Sequence, residues 1–161
     1  MSVYEVEPDW PHWALPDADW ADCFEVIVAA PAGGESLLTA DLVARQAFGR
    51  LPFWFHGLLK LRNILVWPLG LKGDAADVPA EVERMGIFPV VHKQPREVVL
   101  GFDDRHLNFR IVVTAEPDDD GATRVRMMTL VQRNNAFGRA YLAVITPFHK
   151  LIVRTSLLRV G

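Results

Sequence analysis

A chain of 161 residues, 50% hydrophobic and 23% charged, is one domain's worth of sequence. It can bury on the order of 70% of its unfolded surface without help from metals or disulfides. This composition, with a mean hydropathy of +0.13, excludes the disordered, collagenous and disulfide-rich classes and predicts a soluble globular protein. The net charge of −3 conceals an asymmetry: residues 1–44 hold nine acids and no Lys or Arg, and residues 121–161 hold seven Lys or Arg and no acid. Two readings follow. Either the N-terminal segment packs near the C-terminal one and the charges offset, or the C-terminal element presents a basic, anion-attracting surface.

In chain order, residues 1–21 are rich in Pro, Trp and Asp without a helical or alternating period and read as an extended arm, with a single domain over 22–161. Asp22 to Ala30 is a first strand, closed by Pro31-Ala32-Gly33-Gly34. Thr39 caps a short helix from Ala40 to Phe48 that stops at Gly49. Pro52 suits the first turn of a second short helix running to Val66, and 70–79 is a loop. From Ile87 the period becomes two. Ile87 to His92, Arg96 to Asp103, His106 to Glu116 and Thr123 to Arg133 are strand-length runs separated by turn residues, an antiparallel meander. Pro89 places the first of these at an edge or a bulge. The last 25 residues follow a helical period: Phe137, Tyr141, Val144, Phe148, Leu151, Thr155 and Leu158 form one stripe, which Leu142, Ile145 and Ile152 widen. Asn135 is its N-cap, and Pro147 is expected to bend the helix.

No signal peptide is expected, because Glu5, Glu7 and Asp9 precede any Lys or Arg, and a cytoplasmic location is the simplest reading. The most apolar window, 51–71, carries His56, Lys60, Arg62 and Asn63, which argues against a membrane span. The single Cys23 reads as a small buried hydrophobe. A sequence pI of about 5.9 and the lack of basic residues interleaved with aromatics argue against nucleic-acid binding.

This order of elements resembles the helix-grip fold of the START, Bet v 1 and polyketide cyclase (SRPBCC) superfamily. The resemblance implies an α+β protein in which a curved antiparallel sheet wraps a long C-terminal helix, with two short helices after the first strand and an apolar cavity between sheet and helix. That superfamily carries more strands than the five above, which makes 82–86 a candidate sixth. The chain is also similar to the bacterial domain of unknown function 2867, through Leu61-Arg62-Asn63, Asp104 to Arg110, Asn134 to Leu142 and Thr146-Pro147-Phe148-His149. That family supplies no activity.

No phosphate-binding glycine signature is present, so no cofactor is expected. The histidines at 12, 56, 92, 106 and 149 show no i, i+4 pair, and no local metal site is expected. Arg62 shares a helical stripe with Phe55, Leu59 and Val66. Three roles stay open for it: a snorkelling side chain, an ion pair with Asp103 or Asp104, or a cavity-facing binder of a ligand anion. His106, Asn108 and Arg110 form a polar row on the face opposite Leu107, Phe109, Ile111 and Val113. Asp104 is placed to orient His106 as an acid–base candidate. His149 follows Pro147, and its ring is expected to bond a carbonyl the proline frees.

The fold analogy leaves three functions. The first is a carrier of a small apolar or amphipathic molecule, with Arg62, Phe109, Tyr141 and Phe148 lining its cavity. The second is a cyclase- or dehydratase-like enzyme drawing on Asp104, His106, Tyr141 or His149. The third is a protein interaction module built on the tryptophan-rich arm. If the last helix is gripped by that stripe, Phe137, Tyr141, Phe148 and Leu151 are buried against Phe109 and Ile111. Under the carrier reading, no histidine and carboxylate converge inside the cavity.

Overall fold

The computed structural model describes residues 1–32, 34, 38–49, 56–57, 60 and 79–161. Its elements run β1 (Tyr4–Val6), β2 (Trp20–Val28), α1 (Ala40–Phe48), β3 (Arg84–Met85), β4 (Phe88–Lys93), β5 (Glu97–Asp103), β6 (Leu107–Pro117), β7 (Thr123–Arg133) and α2 (Ala136–Leu157). The strands form one sheet in the order β1-β2-β7-β6-β5-β4-β3, with every neighbouring pair antiparallel. The protein is α+β, with an antiparallel sheet and a long C-terminal helix. Of the second expected helix, 52–66, only His56, Gly57 and Lys60 are described, each helical and exposed, and the 70–79 loop apart from Pro79 lies outside the described residues.

Local chemistry accounts for the element ends. The Thr39 side chain accepts from Leu42 N at 3.2 Å and caps α1, and the Asn135 side chain accepts from Gly138 N at 2.9 Å and caps α2. Two strands lie outside the five expected runs. β1 pairs with β2 from within the N-terminal segment, and β3 supplies the strand suspected near 82–86. Pro89 is tolerated because on its outer side β4 meets only the two-residue β3, and its register against β5 shifts between Val90 and His92.

Both faces of the sheet are covered. On the inner face, Phe24, Val26, Val98, Leu100, Ile111, Val113 and Met127 pack under α1 (Val43, Ala44, Ala47) and the end of α2 (Val153, Leu157). On the outer face, Leu15 of the N-terminal segment, flanked by Ala14 and Ala18, covers Cys23, Val99, Val112, Met128 and Leu130. The charge asymmetry resolves through these contacts. Glu5 meets Lys150 at 2.5 Å, Asp19 meets Arg133 at 3.1 Å, and Glu25 meets Arg126 at 2.6 Å. At the other end of the molecule, Arg45 and Lys93 hold the carboxyls of Asp41 and Glu83 below their ordinary range and tie α1 to β3 and β4. Because these carboxyls titrate lower when folded, this stabilisation is present at neutral pH and is lost as pH falls through the lowered values.

The inward face of α2 differs from the expected stripe. Gly138, Leu142, Val153, Ser156 and Leu157 are buried, whereas Val144, Phe148, Leu151 and Leu158 are 67%, 44%, 54% and 51% exposed. Phe137 and Tyr141 are half-buried. Gly138, Leu142 and Ser156 lie one residue, about 100°, past Phe137, Tyr141 and Thr155, and Val153 and Leu157 lie two residues past Leu151 and Thr155. The helix is apolar on both sides, so hydrophobicity alone leaves its rotation open. The small Gly138 and Ser156 allow the close approach that selects it. Phe148→Ala is accordingly expected to cost about 1 kcal/mol, read from the urea midpoint, where a fully buried phenylalanine would cost several times more.

Candidate functional site

Antiparallel register arranges the inner face in rows across the sheet. Phe24, Met127, Val113 and Val98 make one row and are fully buried. Asp22, Thr129, Ile111 and Leu100 make the next, and Trp20, Val131, Phe109 and Phe102 the one beyond. In this last row Trp20, Phe109 and Phe102 are only half-buried. The inner face therefore passes from solid core, through one row carrying two polar residues, to an aromatic row partly open to solvent.

The polar row meets α2 at His149. Its Nε2 lies 3.2 Å from Asp22 Oδ1 and 3.1 Å from Oδ2, and the Trp20 ring sits edge-on to the imidazole at 5.9 Å. The Asp22 side chain is 5% exposed and that of His149 20%. Removing a carboxylate from water costs several kcal/mol unless it is paired, and His149 supplies the partner. One ring N–H faces both oxygens, and among the described residues Asp22 Oδ2 and the neighbouring Thr129 Oγ1 are buried without a hydrogen bond of their own. This corrects two expectations. The His149 ring bonds Asp22 rather than a carbonyl freed by Pro147, and a histidine and a carboxylate do converge between sheet and helix.

One flank of α2 carries Lys150 and Arg154, which reach Glu5 of β1, while the Arg154 guanidinium lies 5.2 Å over the Phe24 ring. The opposite flank, with Phe137, Tyr141 and Phe148, is thereby turned toward β6 and β5. Phe137 meets the His106 ring at 4.8 Å and Tyr141 at 6.4 Å. Across the sheet, Phe109 contacts Phe102 at 4.5 Å and Phe88 at 5.9 Å, and Phe88 contacts Phe48 of α1 at 5.3 Å. Phe109 on the sheet and Tyr141 on α2 are both half-buried. Phe148 is exposed rather than packed in the core.

His106 occupies a separate place at the β5–β6 turn. The Asn135 amide orientation is set because its oxygen accepts from Gly138 N, so its nitrogen donates, at 3.1 Å, to His106 Nδ1. That leaves the proton on Nε2, which is buried and makes no hydrogen bond among the described residues. Asp104 Oδ1 accepts from Arg105 N at 2.6 Å, and Asn134 donates to Asp104 O and Asn108 Oδ1. The Asn134–Gly138 block therefore pins the start of α2 to this turn. Asn108 and Arg110 lie on the outer face as expected, Arg110 bonding Asp103 at 2.8 Å. Arg62 lies outside the described residues.

Cys23 is 3% exposed, and burial pushes its thiol up to about 11, so it is no nucleophile near neutral pH. The unfolded chain ionises first, so its thiol makes stability fall between about pH 9 and 11. Cys23→Ala is expected to remove that fall in chemical denaturation at pH 10. A cleft of about 630 Å³ lies between the start of α1 and the β6–β7 turn, and neither Phe109, Tyr141 nor His149 lines it. Among the described residues no group of three or more metal-ligating side chains occurs, and no helix is long and apolar enough to cross a membrane.

The class defined by these features is an α+β protein whose antiparallel sheet carries a half-open aromatic face ending at an internal imidazole–carboxylate pair. A family model described as "Protein of unknown function (DUF2867)" matches residues 14–156, and the chain belongs to that family. No curated protein matches it.

Proposed function

We propose that the protein binds a small, largely apolar molecule carrying one oxygen function. On this reading the fold is a helix-grip domain and the molecule lies in a trough between the Trp20–Phe102 row and the Phe137–Tyr141 flank of α2. The observation that carries this reading is the half-burial of Trp20, Phe102, Phe109, Phe137 and Tyr141 beside a fully packed core. Exposed aromatics converging on a few buried polar atoms are what a small-molecule site needs: apolar area for affinity, and Thr129 Oγ1 and His149 for orientation. Native mass spectrometry of protein purified from its own host is expected to show a retained small molecule that Phe109→Asp releases. A bare mass, with no binding of the neutral apolar dye Nile red that Phe109→Asp weakens, would overturn it.

Trp10 and Trp13, 43% and 55% exposed on the N-terminal segment, favour a second reading, a partner-binding face. Its test is whether the Trp10→Ser, Trp13→Ser double variant loses a partner that the wild type retains on size exclusion.

A further inference from the structure

The imidazole–carboxylate pair has the geometry of a proton-transfer site. Because Nε2 of His149 donates to Asp22, the ring proton resides on Nε2 and the lone pair on Nδ1. Among the described residues Nδ1 makes no hydrogen bond. A proton arriving at Nδ1 creates an imidazolium held against the Asp22 carboxylate. A purely structural pair is expected to satisfy both carboxylate oxygens. Here the one Nε2–H faces both oxygens of Asp22, and among the described residues neither Oδ2 nor the hydroxyl of Thr129, directly across on β7 with Cβ atoms about 5 Å apart, has a hydrogen bond of its own.

We propose that His149 is a general base for an apolar carbonyl compound, with Asp22 as its positioning residue and Thr129 as the hydrogen-bond donor to the carbonyl oxygen. This rests on the binding reading above. The C–H bond next to the carbonyl breaks, its proton forms a bond to Nδ1, and the electron pair moves through the new carbon–carbon double bond onto the carbonyl oxygen. Return of the proton from the imidazolium to that oxygen, or to another carbon of the same molecule, completes an isomerisation. No oxidant or reductant is consumed. Trp20, Phe109 and Phe102 supply the apolar floor that keeps water from competing for the base.

The test uses 5-nitrobenzisoxazole, an apolar carbon acid that opens to a coloured phenolate when a base removes its ring C–H proton and the N–O bond breaks. The wild type is expected to turn it over saturably, with kcat falling about 100-fold in His149→Gln. Glutamine retains a donor for Asp22 but has no basic nitrogen. Asp22→Asn is expected to lower kcat about 10-fold at unchanged KM and to change the His149 ring nitrogen shifts from the pattern of an Nε2–H tautomer. A wild type that binds the probe but turns it over no faster than folded His149→Gln overturns the proposal. A probe that leaves the Trp20 fluorescence unchanged and never saturates counts against the binding reading instead. The ring nitrogen shifts of the free protein then decide the pair, and a proton on Nδ1 overturns it.

Discussion

Phe24→Ala is expected to lower the free energy of unfolding by about 3 to 5 kcal/mol, the largest effect of any single truncation in this protein. Phe24 is fully buried on β2, between β1 and β7, and contacts elements from both ends of the chain: Met127 lies opposite, and the guanidinium of Arg154 covers its ring. Alanine would leave a cavity that neighbouring strands, held by their ladders, cannot close. It would also remove the aromatic face that Arg154 lies over. Urea denaturation is the measurement, with the midpoint expected to fall at an unchanged slope. A loss below about 1 kcal/mol would mean that the inner face is not packed as described.

Gly138→Ala is expected to destabilise by about 3 kcal/mol, the upper end of the usual cost of overpacking. Alanine is ordinarily the better helix former, so the sign is opposite to that of propensity. An added Cβ at Gly138 would land on the backbone carbonyl of His106, which cannot rotate away because it accepts from Asn134 N. The start of α2 must therefore lift off the β5–β6 turn. The Asn135 contact to His106 goes with it, whereas the His149–Asp22 pair, several turns further along, is expected to persist. Amide exchange read residue by residue distinguishes this local release from general loosening: protection at 134–139 falls, and that of β2 and β7 changes only by the global amount.

Much of the fold was legible because its signals are local. Period-two alternation and turn residues mark β5 to β7, and Thr39 and Asn135 cap the helices they were expected to cap. β1 and β3, at three and two residues, are too short to show any period. The rotation of α2 was misread because Phe148 and Leu151 are as apolar as Leu142 and Val153. Only contact with the sheet, through Gly138 and Ser156, separates the two stripes. The site was half legible. His149, Phe109 and Tyr141 were singled out, but Asp22 was read only as the start of a strand. Its partner is 127 residues away in sequence, brought close by strand order that no spacing records. Thr129, inside a strand, carried no signal of its own.

The position of β2 between β1 and β7 also dictates an order of assembly. The ladder partners of residues 20–28 are residues 123–131, so the ribosome must release the chain through residue 131 before β2 completes its pairing with its second neighbour. Strands β3 to β7 are joined by short connections and can pair as they emerge, while the Phe24 and Val26 side chains wait uncovered. Folding is therefore gated by one late, long-range closure, which places it among slow, topologically non-local domains. Nascent chains stalled before residue 123 should keep an adhesive N-terminal strand, with aggregation or chaperone capture as its visible cost.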